Sequence, residues 1–223
     1  MKGIRKIARI AGVAIVAIIT ALVITILCSP EEDRIEIAEL VEDLNGQEDL
    51  ERQIDWDSLP DEVIAWVEVP GTNIDEPIVQ ATPDAPNTYL YRDALGQGAY
   101  GTPYIDCECS IDSRFVMVYG HHMSDGSVFA DFASFIDEDF AREHNRIIVY
   151  ERSGETLELE ACAADIVDAS QESLVINQDV NFESLFESAN LGLSHPSESN
   201  RLFAFVTCSY QTQNSRTVVY ATE

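Results

Sequence analysis

From Ile10 to Cys28 the chain runs for 19 residues without a charged side chain, interrupted among apolar residues only by Gly12, Thr20 and Thr25. A helix of that length reaches about 30 Å, the thickness of a bilayer's hydrocarbon core. The run therefore predicts a transmembrane helix. Lys2, Arg5, Lys6 and Arg9 precede it, no acid occurs before Glu31, and Glu31-Glu32-Asp33 follows it. By the positive-inside rule this asymmetry predicts a single-pass protein of the cell membrane, with a cytoplasmic amino-terminus and everything after residue 28 outside. A cleavable signal peptide would have a shorter apolar stretch, ~7–15 residues, ending in a small-x-small site. Leu27-Cys28 supplies no such site, and a bulky Leu27 also argues against lipidation of Cys28. The expected organisation is a basic tail at 1–9, an uncleaved signal anchor at 10–28, an acidic stalk at 29–53 and a folded domain at 54–223.

The formal net charge is -27, from 40 acids and 13 bases, and the four bases before the apolar run leave the remainder at -31. Such a surface repels phosphates, which excludes nucleic acid as a partner. In the stalk, Ile35, Ile37, Leu40, Val41 and Leu44 suit one face of a helix. Beyond Trp56 short strand-like runs alternate with Gly, Pro, Asn and Asp: 65–69, 76–80, 88–92, 102–107, 114–119, 146–151, 156–164, 201–208 and 216–221. Many short strands predict a mainly β domain closed into a barrel. Two stretches read as peripheral helices instead, 127–136 with Val128, Phe129, Phe132 and Phe135, and 180–189 with Phe182, Leu185 and Phe186.

The five cysteines are Cys28, Cys107, Cys109, Cys162 and Cys208. An odd count leaves one thiol unpaired. Cys107 and Cys109 would share one face of a strand, a spacing poorly suited to pairing with each other. Together with Cys162 they read as small buried hydrophobes, and the neighbouring sequence supplies no set of metal partners.

A cysteine nucleophile needs a base to raise its thiolate fraction and donors aimed at the oxyanion formed on the attacked carbonyl. Cys208 ends the apolar run Leu202–Val206, where a side chain can face a cleft; the alternative is a buried strand cysteine. His121 and His122 follow the run Phe115–Tyr119, with Gly120 permitting a turn, and alternation along an extended chain sends them to opposite faces. His144 and His195 lie in polar contexts that suit solvated surface rings. Arg216 opens the last strand; its planar fork suits an oxyanion or a peptide carbonyl, and equally a salt bridge to one of the many acids.

Tyr119-Gly120-His121, the segment Leu202-Phe203-Ala204-Phe205-Val206-Thr207-Cys208, and Arg216 before Val218-Val219 resemble, in order and context, the His, Thr-Cys and Arg signatures of sortases. Residues 66–75 followed by Pro77-Ile78-Val79-Gln80 are similar to the amino-terminal strand pair of class B members. The segment His121 to Phe129 resembles their histidine loop and the helix after it. The resemblance runs from about Ile54 to Ala221.

It implies a membrane-anchored cysteine transpeptidase of a Gram-positive-type cell surface, built on a closed eight-stranded β-barrel with peripheral helices after the transmembrane helix. Cys208 would attack the carbonyl of a carboxy-terminal sorting signal to give a thioester, His121 would protonate the leaving amine, and Arg216 would hold the signal or its oxyanion. A peptidoglycan amine or a pilin lysine would then take the acyl group, with no metal or organic cofactor. Thr207 beside the cysteine is an expected substrate-binding residue, as are Leu174 and Ile176 in a segment 166–200 that corresponds to the signal-docking wall of class B relatives. Ser209 departs from the family, which often has Asp after the cysteine, and Asp106-Cys107-Glu108-Cys109 departs from it too. A pilin polymerase of the same chemistry, a peptide-hydrolysing cysteine protease and a non-catalytic surface protein are the competing readings.

Overall fold

The computed structural model describes residues 52–96, 100–169, 174, 178–179, 181–194, 201–209 and 214–223. The tail at 1–9, the expected membrane helix at 10–28, nearly all of the stalk at 29–53, Ile176 and His195 lie outside them. Among the described residues no helix is long and apolar enough to cross a membrane.

Among the described residues nine strands follow in chain order: β1 Val63–Glu68, β2 Asp75–Gln80, β3 Tyr104–Ile105, β4 Phe115–Tyr119, β5 Arg146–Glu151, β6 Thr156–Asp168, β7 Leu191–Gly192, β8 Leu202–Cys208 and β9 Ser215–Thr222. Hydrogen bonding links them as β5-β1-β2-β3-β4-β8-β9-β6, and β6 pairs back onto β5, so eight strands close into a barrel from which the short β7 extends along β6. Alternation builds the wall: in β1 the side chains of Val63, Ala65 and Val67 are buried while Ile64, Trp66 and Glu68 are only half-buried. The central pair β8 and β9 is different, buried along nearly its whole length. Its second face is covered by the 3-10 helix Ala130–Ile136, whose Phe132 ring stacks on Phe205 at 5.0 Å while Phe129 meets Phe132 edge-on at 4.9 Å. Fully burying a phenyl side chain contributes ~1.5–3 kcal/mol, so Phe129, Phe132 and Phe135 hold this layer firmly on the barrel.

Several elements differ from expectation. The helix expected at 127–136 is confined to Ala130–Ile136 and is 3-10 rather than α: three residues per turn carry Phe132 and Phe135 on one side toward Phe129, while Val128 is drawn into a bridge with His122. A short helix, α1 Glu138–Glu143, follows at once, its first turn capped by the Asp137 carboxylate accepting from the Phe140 amide at 3.0 Å. The second expected helix is α2, Phe182–Ser188. Residues 88–92 are not a strand: Thr88–Leu90 is a 3-10 turn, and the amides of Leu90, Tyr91 and Arg92 bond the carbonyls of Asn87 and Thr88 rather than a neighbouring strand. Cys107 and Cys109 lie in a turn beyond the two-residue β3, closed by the Cys109 amide on the Asp106 carbonyl at 3.2 Å. Cys109 and Cys162 are buried as expected, but Cys107 is only half-buried, and all four described cysteines are free. His144 is no solvated ring: it lies 4.5 Å from the Phe140 ring and bonds the Pro70 carbonyl at 3.1 Å.

Candidate active site

Three neighbouring strands end at one level. In the parallel pair β4–β8, Tyr119 stands opposite Val206, and the Gly120 amide continues the ladder to the Val206 carbonyl at 3.0 Å. In the antiparallel pair β8–β9, Cys208 stands opposite Arg216. His121, Cys208 and Arg216 thereby line a single cleft of about 390 Å³, together with Asp106, Tyr104, Tyr119, Thr207 and the carbonyl-rich segment around Tyr89 and Leu90. Cys208 is exposed there, unlike Cys109 and Cys162, whose thiols burial pushes up to about 11 and about 12. Those two remain protonated at neutral pH and are poor nucleophiles.

The backbone around each of these residues is closely specified. Gly120 is required by contact rather than by a turn: a Cβ there would come within 2.3 Å of the Phe129 ring. The loop after it closes through the Phe129 amide on the His121 carbonyl at 2.9 Å and an antiparallel bridge between His122 and Val128. Val128 pays for this with φ +60°, a conformation β-branched residues rarely adopt. On the other side of Cys208, the Ser209 hydroxyl donates to Ser215 Oγ at 2.7 Å, and Ser215 donates to the Ser209 carbonyl at 3.1 Å. This buried clasp fixes the mouth of the β8–β9 pair and explains the residue after the cysteine: Ser209 faces its partner strand, where a carboxylate would be buried.

His121 Nε2 lies 2.6 Å from the Leu90 carbonyl. A carbonyl only accepts, so Nε2 carries the proton and Nδ1 is the nitrogen left for proton exchange. His122 Nδ1 lies 2.8 Å from the carbonyl of Cys208 itself and donates to it, so the second histidine braces the cysteine's backbone rather than standing apart. Arg216 is half-buried, and its guanidinium makes no hydrogen bond or ion pair to another described residue. Its charge reaches Tyr104 and Tyr119 on the cleft floor, whose phenols are held above the usual range chiefly by burial, with Asp106 adding to the rise and Arg216 opposing it.

A family model of the sortase domain matches residues 67–223. The chain belongs to the sortase family. It is 30% identical over 94 residues to sortase B of Listeria monocytogenes, a match spanning 40% of this chain and 37% of that relative. Among solved structures it superimposes on sortase B of Clostridium perfringens with a TM-score of 0.61 at 24% identity, covering 72% of this chain and 93% of the other. A Streptococcus pyogenes class B sortase involved in pilus biogenesis gives 0.64 at 23% identity, covering 75% and 97%. The Staphylococcus aureus sortase B–substrate complex gives 0.64 at 18% identity, covering 86% and 98%. The closed barrel is thus the class B sortase fold.

Within this sortase the sequence-derived residues fall unevenly. His121, Cys208 and Arg216 come together in the cleft, and Thr207 lines it while its hydroxyl is buried. Leu174 packs half-buried against the barrel core and is not among the cleft-lining residues. The Leu90 carbonyl is invisible in the sequence, because a backbone acceptor leaves no trace in residue identity. The His122 contact is equally hidden, and the pair of adjacent histidines beside a glycine is its only trace in the sequence.

Proposed function

We propose that this sortase is a class B-type cysteine transpeptidase acting on surface proteins. The Cys208 thiolate attacks the scissile carbonyl of a carboxy-terminal sorting signal, forming a C–S bond, and the C–N bond breaks as the leaving amine takes a proton from the His121 imidazolium. A second amine, from a peptidoglycan cross-bridge, then attacks the thioester, gives its proton back to His121 and releases the thiolate. Arg216 donates to the oxygen that turns negative in both steps. The reading rests on one observation above the rest: an exposed Cys208 shares its cleft with His121 and with an arginine whose donors are not spent on another described residue.

The charge pattern of residues 1–33 supports an anchor at 10–28 that holds the domain on the outer face of the cell membrane. Likeness to a sortase involved in pilus biogenesis favours a second acceptor, a pilin lysine. Product analysis separates these readings. A sorting-signal peptide is incubated with the enzyme alone, with a glycyl peptide amine and with a lysine-containing peptide. Amine-dependent ligation supports transfer, the preferred amine identifies the acceptor class, and hydrolysis unaffected by either amine contradicts transpeptidation.

A further inference from the structure

The Leu90 carbonyl that holds His121 is itself fixed from two directions. On one side stands Glu62, in the turn leading into β1. Its Oε2 accepts from the Tyr89 hydroxyl at 3.0 Å and its Oε1 from Arg92 Nη2 at 3.0 Å, while the Arg92 guanidinium lies 5.6 Å from the centre of the Tyr89 ring. One carboxylate therefore grips the residues on either side of Leu90. On the other side Gly101 backs the same peptide groups: with φ +27°, a Cβ there would meet the carbonyl oxygens of Tyr89 and Leu90 at 2.4 and 2.6 Å. The Thr102 amide donates to the Tyr89 carbonyl at 2.9 Å and completes the cradle.

We propose that Glu62 is a positioning residue for His121, acting through the Tyr89–Arg92 segment to aim the Leu90 carbonyl at Nε2 and so hold the imidazole in the Nε2–H tautomer. Nδ1 is then kept as the single site of proton exchange with sulfur and amine. The energy in the Glu62 contacts is modest, because an exposed ion pair contributes only ~0–1 kcal/mol to stability. Its effect on rate is larger, since a displacement of ~1 Å in a group that orients the catalytic base can cost up to about 10²-fold. A residue that is nearly silent in stability and strong in turnover is the signature of this arrangement. Glu62 is not among the residues that line the cleft, so it acts only through its neighbours.

The proposal rests on His121 being the proton-transfer group of the reading above, and the test separates the two. Full-length wild-type, Glu62→Ala and Glu62→Gln chains are compared for kcat and KM with a sorting-signal peptide, for melting temperature, and by nitrogen NMR of isotope-labelled histidine. The expected result is a loss of about ten- to a hundredfold in kcat for Glu62→Ala, with KM and melting little changed and the His121 ring passing from one tautomer to a mixture. Glu62→Gln keeps an oxygen for Tyr89 and recovers most of both signals. Wild-type kcat with an unchanged ring spectrum in Glu62→Ala overturns the proposal, as does a kcat loss that tracks only the unfolded fraction. Should Glu62→Ala fail to fold, Tyr89→Phe removes one grip while leaving Glu62 its arginine; it is expected to shift the ring spectrum the same way, and an unchanged spectrum there is equally fatal. A wild-type enzyme inert toward every peptide would overturn the transpeptidase reading, whereas the ring spectra would still judge the role of Glu62.

Discussion

Three arginines beside the barrel wall meet very different surroundings. Arg152, just after β5, donates to the carbonyls of Trp56, Pro60 and Val63 at 2.8–2.9 Å, and Arg201, just before β8, contacts the Ile111 carbonyl, the Phe203 ring and the buried Glu151 carboxylate at 3.6 Å. Arg216 shares the far end of β8 with an exposed cysteine and keeps its fork for the cleft. The first two are staples: Arg152 satisfies three backbone carbonyls, and Arg201 binds the Ile111 carbonyl and holds its charge beside Glu151, whose buried Oε1 accepts no hydrogen bond and depends on that cation. The third differs: its guanidinium makes no hydrogen bond or ion pair to another described residue, in a molecule rich in carboxylates. The difference teaches that cation identity says little here, and that the degree to which its donors are spent separates structure from chemistry.

The contrast breaks or holds on paired substitutions. Arg216→Lys keeps the charge but loses the planar fork, and should lower turnover by ~10²–10³ while melting stays within a degree or two of wild type. Arg201→Ala should do the reverse: leaving Glu151 buried without its cation costs about 3 kcal/mol of stability, read in a denaturant titration, with turnover per folded molecule retained. Near-normal turnover for Arg216→Lys, or a catalytic collapse of folded Arg201→Ala, would erase the distinction.

A second comparison lies in the carboxylates behind the histidine loop. Burial, aided by the neighbouring Asp75, raises the Glu76 carboxyl to about 7, while the Val128 amide directed at it holds the rise in check. Because the folded value exceeds the ordinary carboxylate value of 4.5, the folded state binds the extra proton. Stability from this group is therefore full below about pH 4.5 and is lost as pH rises through about 7. Glu76→Gln should remove that loss, gaining on the order of 1–2 kcal/mol over wild type at pH 8 after allowance for solvent screening, and little at pH 4.5. Unfolding curves at the two pH values check it, and an equal gain at both would place its origin elsewhere.

The smallest effect belongs to His122. Its bond to the Cys208 carbonyl is one side-chain contact worth about 1 kcal/mol, so His122→Ala should slow turnover about three- to tenfold, against near-complete loss in His121→Ala. Equal losses in the two variants would remove the division between proton carrier and brace.

What the sequence made legible follows the same physics. Hydrophobic alternation announced most strands, and the Gly-His, Thr-Cys and Arg signatures lie at strand ends that the register then brings side by side. Missed were features with no side-chain signature. Leu90 sits in a run that reads as strand, yet its local turn bonds and its carbonyl are what the histidine uses. Gly120 reads as a turn residue, yet its lack of a Cβ serves the Phe129 ring. His144 reads as solvated because its neighbours in the chain are polar, whereas its partners are the Phe140 ring one helical turn back and the carbonyl of Pro70, in a turn distant in the chain.

The central claim is that acyl transfer passes through Cys208, and trapping the intermediate tests it most directly. Wild-type and Cys208→Ala chains are mixed with a sorting-signal peptide, quenched in acid within seconds and mapped by mass spectrometry. The account predicts an adduct with the mass of the amino-terminal fragment on the peptide containing Cys208, discharged on addition of an amine and absent from Cys208→Ala. An acyl group on Cys107, or undiminished cleavage by Cys208→Ala, would contradict it.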